Sequence, residues 1–177
     1  IKKAITFAKR WHGTQMRKSG DHPFYWHPLK VAEMVAVRYL KTDTVVASIL
    51  HDTVEDSDCT VELIEEKFNH RIAEIVDRLT KKRFENGKSI KLTLEQTLNK
   101  LSKLDDNEAL FIKQMDRQHN LETIDGLAPH KQIKMAEETS NYFVSLVAII
   151  GDKLNIYGKI HLENKMFKYC YDILKKK

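Results

Sequence analysis

Glycine and proline are scarce in this chain, six and three among 177 residues, and there are only two cysteines. So few breakers leave little room for the closely spaced turns of a β-sandwich or barrel. Cys59 and Cys170 stand far apart and form no CxxC pair, which argues against a zinc knuckle or a disulfide framework and suits a reducing cytoplasm. Long apolar runs are missing as well. The longest nearly apolar stretch, Tyr142 to Ile150, includes Ser145 and is far too short to span a bilayer, so no membrane partner is expected. No charged, then apolar, then small-residue signal opens the chain, although a first residue of Ile leaves open what stands upstream. Aromatics make up 8% and are not interleaved with the basic runs Lys81-Lys82-Arg83 and Lys175-Lys176-Lys177, which read as solvated surface. Neither a stacking platform nor a recognition-helix motif is evident, so nucleic acid is not an expected partner.

What is present is helical periodicity. At 42% hydrophobic and 31% charged residues the composition is that of a globular protein, and residues 1–177 read as a single domain. The apolar spacing predicts an all-α bundle of about nine to ten helices. These run over Ile1 to His12, Pro28 to about Leu40, Thr44 to Asp56 with Asp43 as cap, and Val61 to Phe68 with Thr60 as cap. They continue over Arg71 to Leu79, Thr93 to Leu104, Glu108 to Ile124, a long Lys131 to Ile150, and His161 to Leu174. Lys81 to Ser89 turns basic and polar around Gly87 and reads as a mobile connection.

Four clusters could carry chemistry. Arg17-Lys18-Ser19-Gly20 sits in the loop after the first helix; two cations, a hydroxyl and a glycine suit phosphate oxygens. His27 stands directly before Pro28, at a helix start, where its ring can point into the domain. His51-Asp52-Thr53-Val54-Glu55-Asp56 crowds three carboxylates and an imidazole onto a helix whose upstream part, Val45 to Leu50, is apolar. Such a concentration of charge on a half-buried helix is costly unless a cation or ligand compensates it. Asp116, Asn120 and Thr123 fall at i, i+4 and i+7, a polar stripe on a helix with an apolar beginning. A bare His-Asp pair is weak as a motif, and taken alone each cluster reads more readily as solvated surface, or for His27 as an ordinary loop histidine.

Taken together, His27, His51, Asp52 and Asp116 supply two imidazoles and two carboxylates from three helices. Nitrogen and oxygen ligands without sulfur suit Mn²⁺, Fe²⁺ or Zn²⁺ better than Ca²⁺ or a structural zinc. Glu55 and Asp56, one turn further on, would then be placed to orient or deprotonate a metal-activated water. The net charge of +5 permits a polyanionic ligand such as a nucleotide.

These clusters, in this order, resemble the HD-type hydrolase domain of the RelA/SpoT family, whose enzymes make and degrade the alarmone (p)ppGpp. The similar segments are His12-Gly13-Thr14-Gln15-Met16-Arg17-Lys18-Ser19-Gly20, His27-Pro28-Leu29-Lys30-Val31-Ala32, Leu50 to Asp56, and Ile112-Lys113-Gln114-Met115-Asp116-Arg117-Gln118-His119-Asn120. Thr60, Ile64, Phe68 and Thr80-Lys81 also fall in the family pattern, and the likeness covers about Ala4 to Tyr169. It implies an all-helical HD fold with one ion, usually Mn²⁺, held by His27, His51, Asp52 and Asp116. It also implies that Glu55 and Asp56 handle the attacking water, that Arg17, Lys18 and Ser19 contact the nucleotide or its phosphates, and that Asn120 and Thr123 line the nucleotide pocket.

The activity so implied is Mn²⁺-dependent hydrolysis of the 3′-pyrophosphate of ppGpp or pppGpp in the cytoplasm, leaving GDP or GTP and pyrophosphate. Two other readings use the same residues: an NADPH phosphatase, as short relatives can be, or a degenerate module that binds nucleotide without turnover. Three departures from the family pattern stand out. The link Asp21 to Trp26 carries one extra residue, Met115 replaces a common Ala, and Glu122 stands where many members have a base. Residues from about 151 onward resemble the helical segment that leads into the synthetase domain of long members. The expectation is therefore a stand-alone hydrolase or a piece of a longer protein.

Overall fold

The computed structural model describes residues 1–17, 22–85, 88–156 and 159–175, with the backbone alone at 82–85, 88–89, 144–145, 147–148 and 159–161. Among the described residues there are eleven α-helices, one 3-10 turn and one two-stranded hairpin, so the all-α expectation holds. The core is organised around α8 (Asn107–Glu122). Its buried apolar residues, among them Leu110, Phe111, Ile112, Met115 and Leu121, point in every direction around the axis. A helix apolar on all sides must be enclosed, and α2 (Trp26–Arg38), α3 (Thr42–Leu50), α6 (His70–Leu79), α7 (Leu94–Lys103), α9 (Pro129–Tyr142), α10 (Val144–Lys153) and α11 (Lys159–Leu174) pack against it. α3 is buried at every residue from Thr44 to Leu50 and lies between α2 and α6. On its other flank α1 (Lys2–His12) presents Ala4 and Ala8, one turn apart and fully buried. Small side chains there let two helix backbones come close.

Local chemistry sets several boundaries. Thr60 Oγ1 accepts from the Leu63 N–H to start α5 (Val61–Lys67), and Asn69 Oδ1 accepts from the Ile72 N–H to start α6. Thr93 and Gln96 form a reciprocal capping box on α7. α1 ends at Gly13, whose φ of +51° places it in the left-handed region where a Cβ is unfavourable.

Four expectations need correction. The helix expected from Thr44 to Asp56 is interrupted at His51 and Asp52, and only a short α4 (Thr53–Asp56) follows. The reason is a side-chain cap: His51 Nδ1–H donates to the Ser48 carbonyl at 2.8 Å, taking up an acceptor at the end of α3. Asp43 does not cap α3, whose N-cap is Lys41; its carboxylate instead accepts from Asn69 Nδ2 at 3.2 Å. The connection expected between Lys81 and Ser89 is a hairpin, β1 (Lys82–Glu85) paired antiparallel with β2 (Lys88–Lys91). The long helix expected over Lys131 to Ile150 starts at Pro129 and is divided at Phe143 into α9 and α10.

A candidate metal centre and its cavity

α2, the α3–α4 junction and α8 meet at one point, where His27, His51 and Asp116 bring ligand atoms within 4.8 Å of one another. His27 is the second residue of α2; Pro28 behind it has the fixed φ and missing N–H that a first turn accommodates. His27 Nε2 lies 3.1 Å from Asp116 Oδ1 and 3.6 Å from Asp52 Oδ2. His51 Nε2 lies 3.1 Å from Asp52 Oδ1 and 4.0 Å from Asp116 Oδ1. The four sequence-predicted ligands are thus brought together. His51 and Asp52 keep right-handed helical backbone angles through the break, and Asp52, the N-cap of α4, reaches both imidazoles from there.

Whether these residues fit a cation is decided by His51. Nδ1–H is donated to Ser48 O, so in the neutral ring the lone pair is on Nε2, which is buried and has no hydrogen-bond partner. The 3.1 Å approach to Asp52 lies outside hydrogen-bond geometry. A buried, unbonded imidazole nitrogen aimed between two carboxylates is the donor set of a divalent cation with mixed nitrogen and oxygen ligands. Metal-free, burial works against a charged His51 ring, but the Asp52 and Asp116 carboxylates outweigh it and push the pKa up to about 8. Burial likewise opposes ionisation of Asp52 and Asp116, yet His51 beside the first and Lys113 and His27 beside the second hold both below the usual carboxylate range.

Other side chains pin Asp116. Lys113 Nζ donates to Oδ2 at 2.7 Å from one turn earlier on α8, and Asn120 Nδ2 donates to Oδ1 at 2.6 Å from one turn later. Burial disfavours the Lys113 ammonium, and the neighbouring carboxylates more than compensate, so its pKa is raised. On the far side of His27, Nδ1 lies 2.7 Å from Nδ1 of His119. Burial, then the His27 ring and Arg17, push His119 down to about 4, so it is neutral.

Glu55 faces the centre from α4. Its carboxylate accepts from the Lys81 backbone N–H at 3.3 Å and pairs with Lys91 Nζ at 3.1 Å. Both partners sit at the base of the hairpin, which is closed by Leu92 N–H donating to Lys81 O at 3.0 Å. The segment expected to be a mobile connection therefore holds Glu55. The Asp56 end of α4 is held from the opposite side, where Gln15 Nε2 donates to the Asp56 carbonyl at 2.7 Å and Gln15 Oε1 lies 3.1 Å from His12 Nδ1.

The cluster opens into a cavity of about 670 Å³. It is lined by acidic and basic side chains, among them Asp52, Glu55, Asp56, Lys81 and Lys113, together with Arg17, Phe24, Asn120 and Thr123. The Arg17 guanidinium donates to Asn120 Oδ1 at 3.2 Å and lies 6.0 Å from the centre of the Phe24 ring. Lys18 and Ser19 lie outside the described residues. Met115 is fully buried in the core and is not among the residues lining the cavity, and Glu122 turns away toward Gln118 and Lys165. Sequence reasoning missed Lys81, Lys113, His119 and Gln15. Lys113 and His119 stand three residues either side of Asp116, a spacing that was available as a signal. Lys81 reads as solvated surface because it lies in a basic run, yet it lines the cavity, and the Lys113 charge together with burial lowers its pKa.

An all-helical bundle that gathers a His-Asp pair, a second histidine and a distant aspartate into a cluster able to hold a metal ion is an HD-type domain. The HD-domain family matches residues 4–149, and the chain belongs to that family. It is 37% identical over 176 residues to the guanosine-3′,5′-bis(diphosphate) 3′-pyrophosphohydrolase of Aquifex aeolicus, covering 97% of this chain and 24% of that protein. It is 33% identical over 174 residues to the GTP pyrophosphokinase of Myxococcus xanthus, covering 96% and 22%. With the GTP pyrophosphokinase rsh of Brucella suis it shares 34% over 153 residues, covering 85% and 20%. The resemblance to RelA/SpoT-type HD domains is borne out by these relatives, of whose length the chain spans a quarter or less. A solved metazoan ortholog of SpoT, described as hydrolysing ppGpp, has the same fold, with a TM-score of 0.65 at 20% identity, covering 97% of this chain and 93% of that one.

Proposed function

We propose that this domain hydrolyses the 3′-pyrophosphate of ppGpp or pppGpp, releasing pyrophosphate and leaving GDP or GTP, with Mn²⁺ as its ion. The observation that carries the reading is the buried, unbonded His51 Nε2 beside Asp52 and Asp116, two carboxylates that line a cavity large enough for a nucleotide. His27, His51, Asp52 and Asp116 would hold the ion. When bound, it supplies a Lewis acid for a phosphoryl oxygen and lowers the pKa of a water.

The residues of the chain account for the remainder. Glu55, fixed by Lys81 and Lys91, takes the proton of the attacking water, with Asp56 beside it to orient that water. The water oxygen bonds to phosphorus, the P–O3′ bond breaks, and the sugar oxygen leaves as a hydroxyl with the proton that Glu55 took from the water. Lys81 and Lys113 line the same cavity and offset the charge of the pyrophosphate. Arg17, with Lys18 and Ser19 of the same loop, contacts the nucleotide or its phosphates, and Asn120 and Thr123 line its pocket. Cys59 and Cys170 are free thiols, in keeping with a cytoplasmic enzyme. No helix among the described residues is long and apolar enough to cross a membrane.

The test is direct. Protein loaded with Mn²⁺ should release pyrophosphate from ppGpp, and a chelator should stop it. Binding of ppGpp without turnover would leave a nucleotide-binding module instead, and a faster initial rate on NADPH than on ppGpp would transfer the activity to a phosphatase.

A further inference from the structure

We infer that His119 is a positioning residue for the metal centre: through its Nδ1 it fixes the tautomer and the ring orientation of His27. The inference rests on the metal site proposed above and goes beyond its ligand set. His27 presents Nε2 toward Asp116 and Asp52, so a cation placed among these groups takes the Nε2 lone pair, and the ring proton must then be on Nδ1. That Nδ1 lies 2.7 Å from a single side-chain atom, His119 Nδ1, in a place from which water is excluded: His27 is 1% exposed and His119 4%. A buried N–H needs an acceptor. His119 provides one only as the neutral tautomer with its own proton on Nε2. Metal-bound histidines generally donate their second N–H to a carboxylate, a carbonyl or water; here an imidazole fills that position.

The surroundings hold His119 in place. It lies three residues from Asp116 on α8, so the ligand and the residue that orients the other ligand share one rigid helix. Its ring packs between His27, at 4.9 Å between centres, and the Trp26 indole, at 5.5 Å. Trp26 itself lines the cavity. Thus the indole on the cavity side and α8 on the core side confine the acceptor to one position.

The test is Mn²⁺ affinity, read by electron paramagnetic resonance of the free ion in titrations of chelator-stripped protein. Two substitutions separate hydrogen bonding from packing. His119→Phe keeps a ring against Trp26 and removes the acceptor, whereas His119→Asn puts an amide oxygen close to where Nδ1 was. His119→Phe should weaken Mn²⁺ binding about 10- to 100-fold, and His119→Asn should recover most of that loss. Unchanged affinity in His119→Phe, or equal losses in both variants at matched circular dichroism and melting temperature, overturns the inference. If His119→Phe does not fold, His119→Asn decides by itself: near wild-type affinity upholds the acceptor role and a full loss ends it. His51→Ala serves as the reference. If it also binds Mn²⁺ normally, the metal site is wrong and the inference falls with it; if only the His119 variants bind normally, the metal site stands and His119 has no part in it.

Discussion

α8 serves two buried charged clusters, and they differ in how their charges are answered. At its N-terminal end Asp106, with a side chain 0% exposed, receives Arg71 at 2.9 Å and Arg78 at 2.5 Å. Glu108 receives Arg71 at 2.8 Å, Lys41 at 2.5 Å and the Tyr39 hydroxyl at 3.1 Å. Asp106 also accepts the Ala109 N–H as the helix cap. Three turns on, Asp116 faces two imidazoles and a second carboxylate, and among them the His51 Nε2 lone pair has no hydrogen-bond partner. The first cluster is complete within the protein and braces α6 against α8. The second gathers the proposed metal ligands, and it opens on a cavity. Buried charge by itself does not mark a site; here the difference is an unbonded imidazole nitrogen beside carboxylates that line a cavity.

The comparison breaks if losses at the two clusters resemble each other. The largest expected effect is in Asp52→Ala, which should lose metal and hydrolysis together while the metal-free protein stays folded at the assay temperature, giving up only the modest contribution of its ionised carboxylate. Glu55→Gln should lower kcat on ppGpp by about 10²–10⁴-fold with Mn²⁺ affinity retained, as measured by the same titration. Arg71→Ala should do the reverse: it leaves Asp106 and Glu108 short of a buried partner and costs about 3 kcal/mol in urea unfolding, discounted because Arg71 is itself one-third exposed. Its kcat should be unchanged at temperatures where it is folded.

The two clusters should also divide the pH dependence of metal-free stability. The Asp106, Glu108, Asp52 and Asp116 pKa values are lowered by folding, so their contribution is present above the ordinary carboxylate range and is lost as pH falls toward the folded values. His51 is raised to about 8, so its contribution is full below about 6.5 and is lost as pH rises through 8. Thermal melts should therefore show an alkaline decline of about 2 kcal/mol that Mn²⁺ removes, since a ligating ring has already lost its proton. An alkaline decline that persists with saturating Mn²⁺ would detach His51 from the metal. The smallest effect is expected in Gln15→Ala. Loss of its bond to the Asp56 carbonyl should cost about 1 kcal/mol and lower kcat modestly, because only the anchoring of α4 is loosened.

Much of the helical layout was legible because apolar periodicity reports which faces are buried. What eluded it had identifiable causes. His51 ends α3 with its own side chain, a competition for the Ser48 carbonyl that no propensity registers. Nor did the hairpin appear in the pattern, since its strands are four residues long and rich in lysine; Asn86-Gly87, a pair that favours hairpin turns, was the available signal and lies outside the described residues. Lys81 was misread because charge in a run looks alike whether or not a fold covers part of it. The four clusters were visible as residue types, but a stripe such as Asp116, Asn120 and Thr123 fits a solvent face equally well until the opposing wall is placed.

By itself, then, the sequence determined an all-helical chain and the chemical kinds of its polar clusters, because both are properties of near neighbours: periodicity over a few turns, and residues adjacent along a helix. Only the tertiary structure decided which clusters meet. It set His27 and Asp116, 89 residues apart, at 3.1 Å, left His51 Nε2 without a hydrogen bond beside them, put His119 behind His27, and made a hairpin hold Glu55. Each of these is a distance between segments remote in the chain, set by how helices pack around α8 rather than by any local preference.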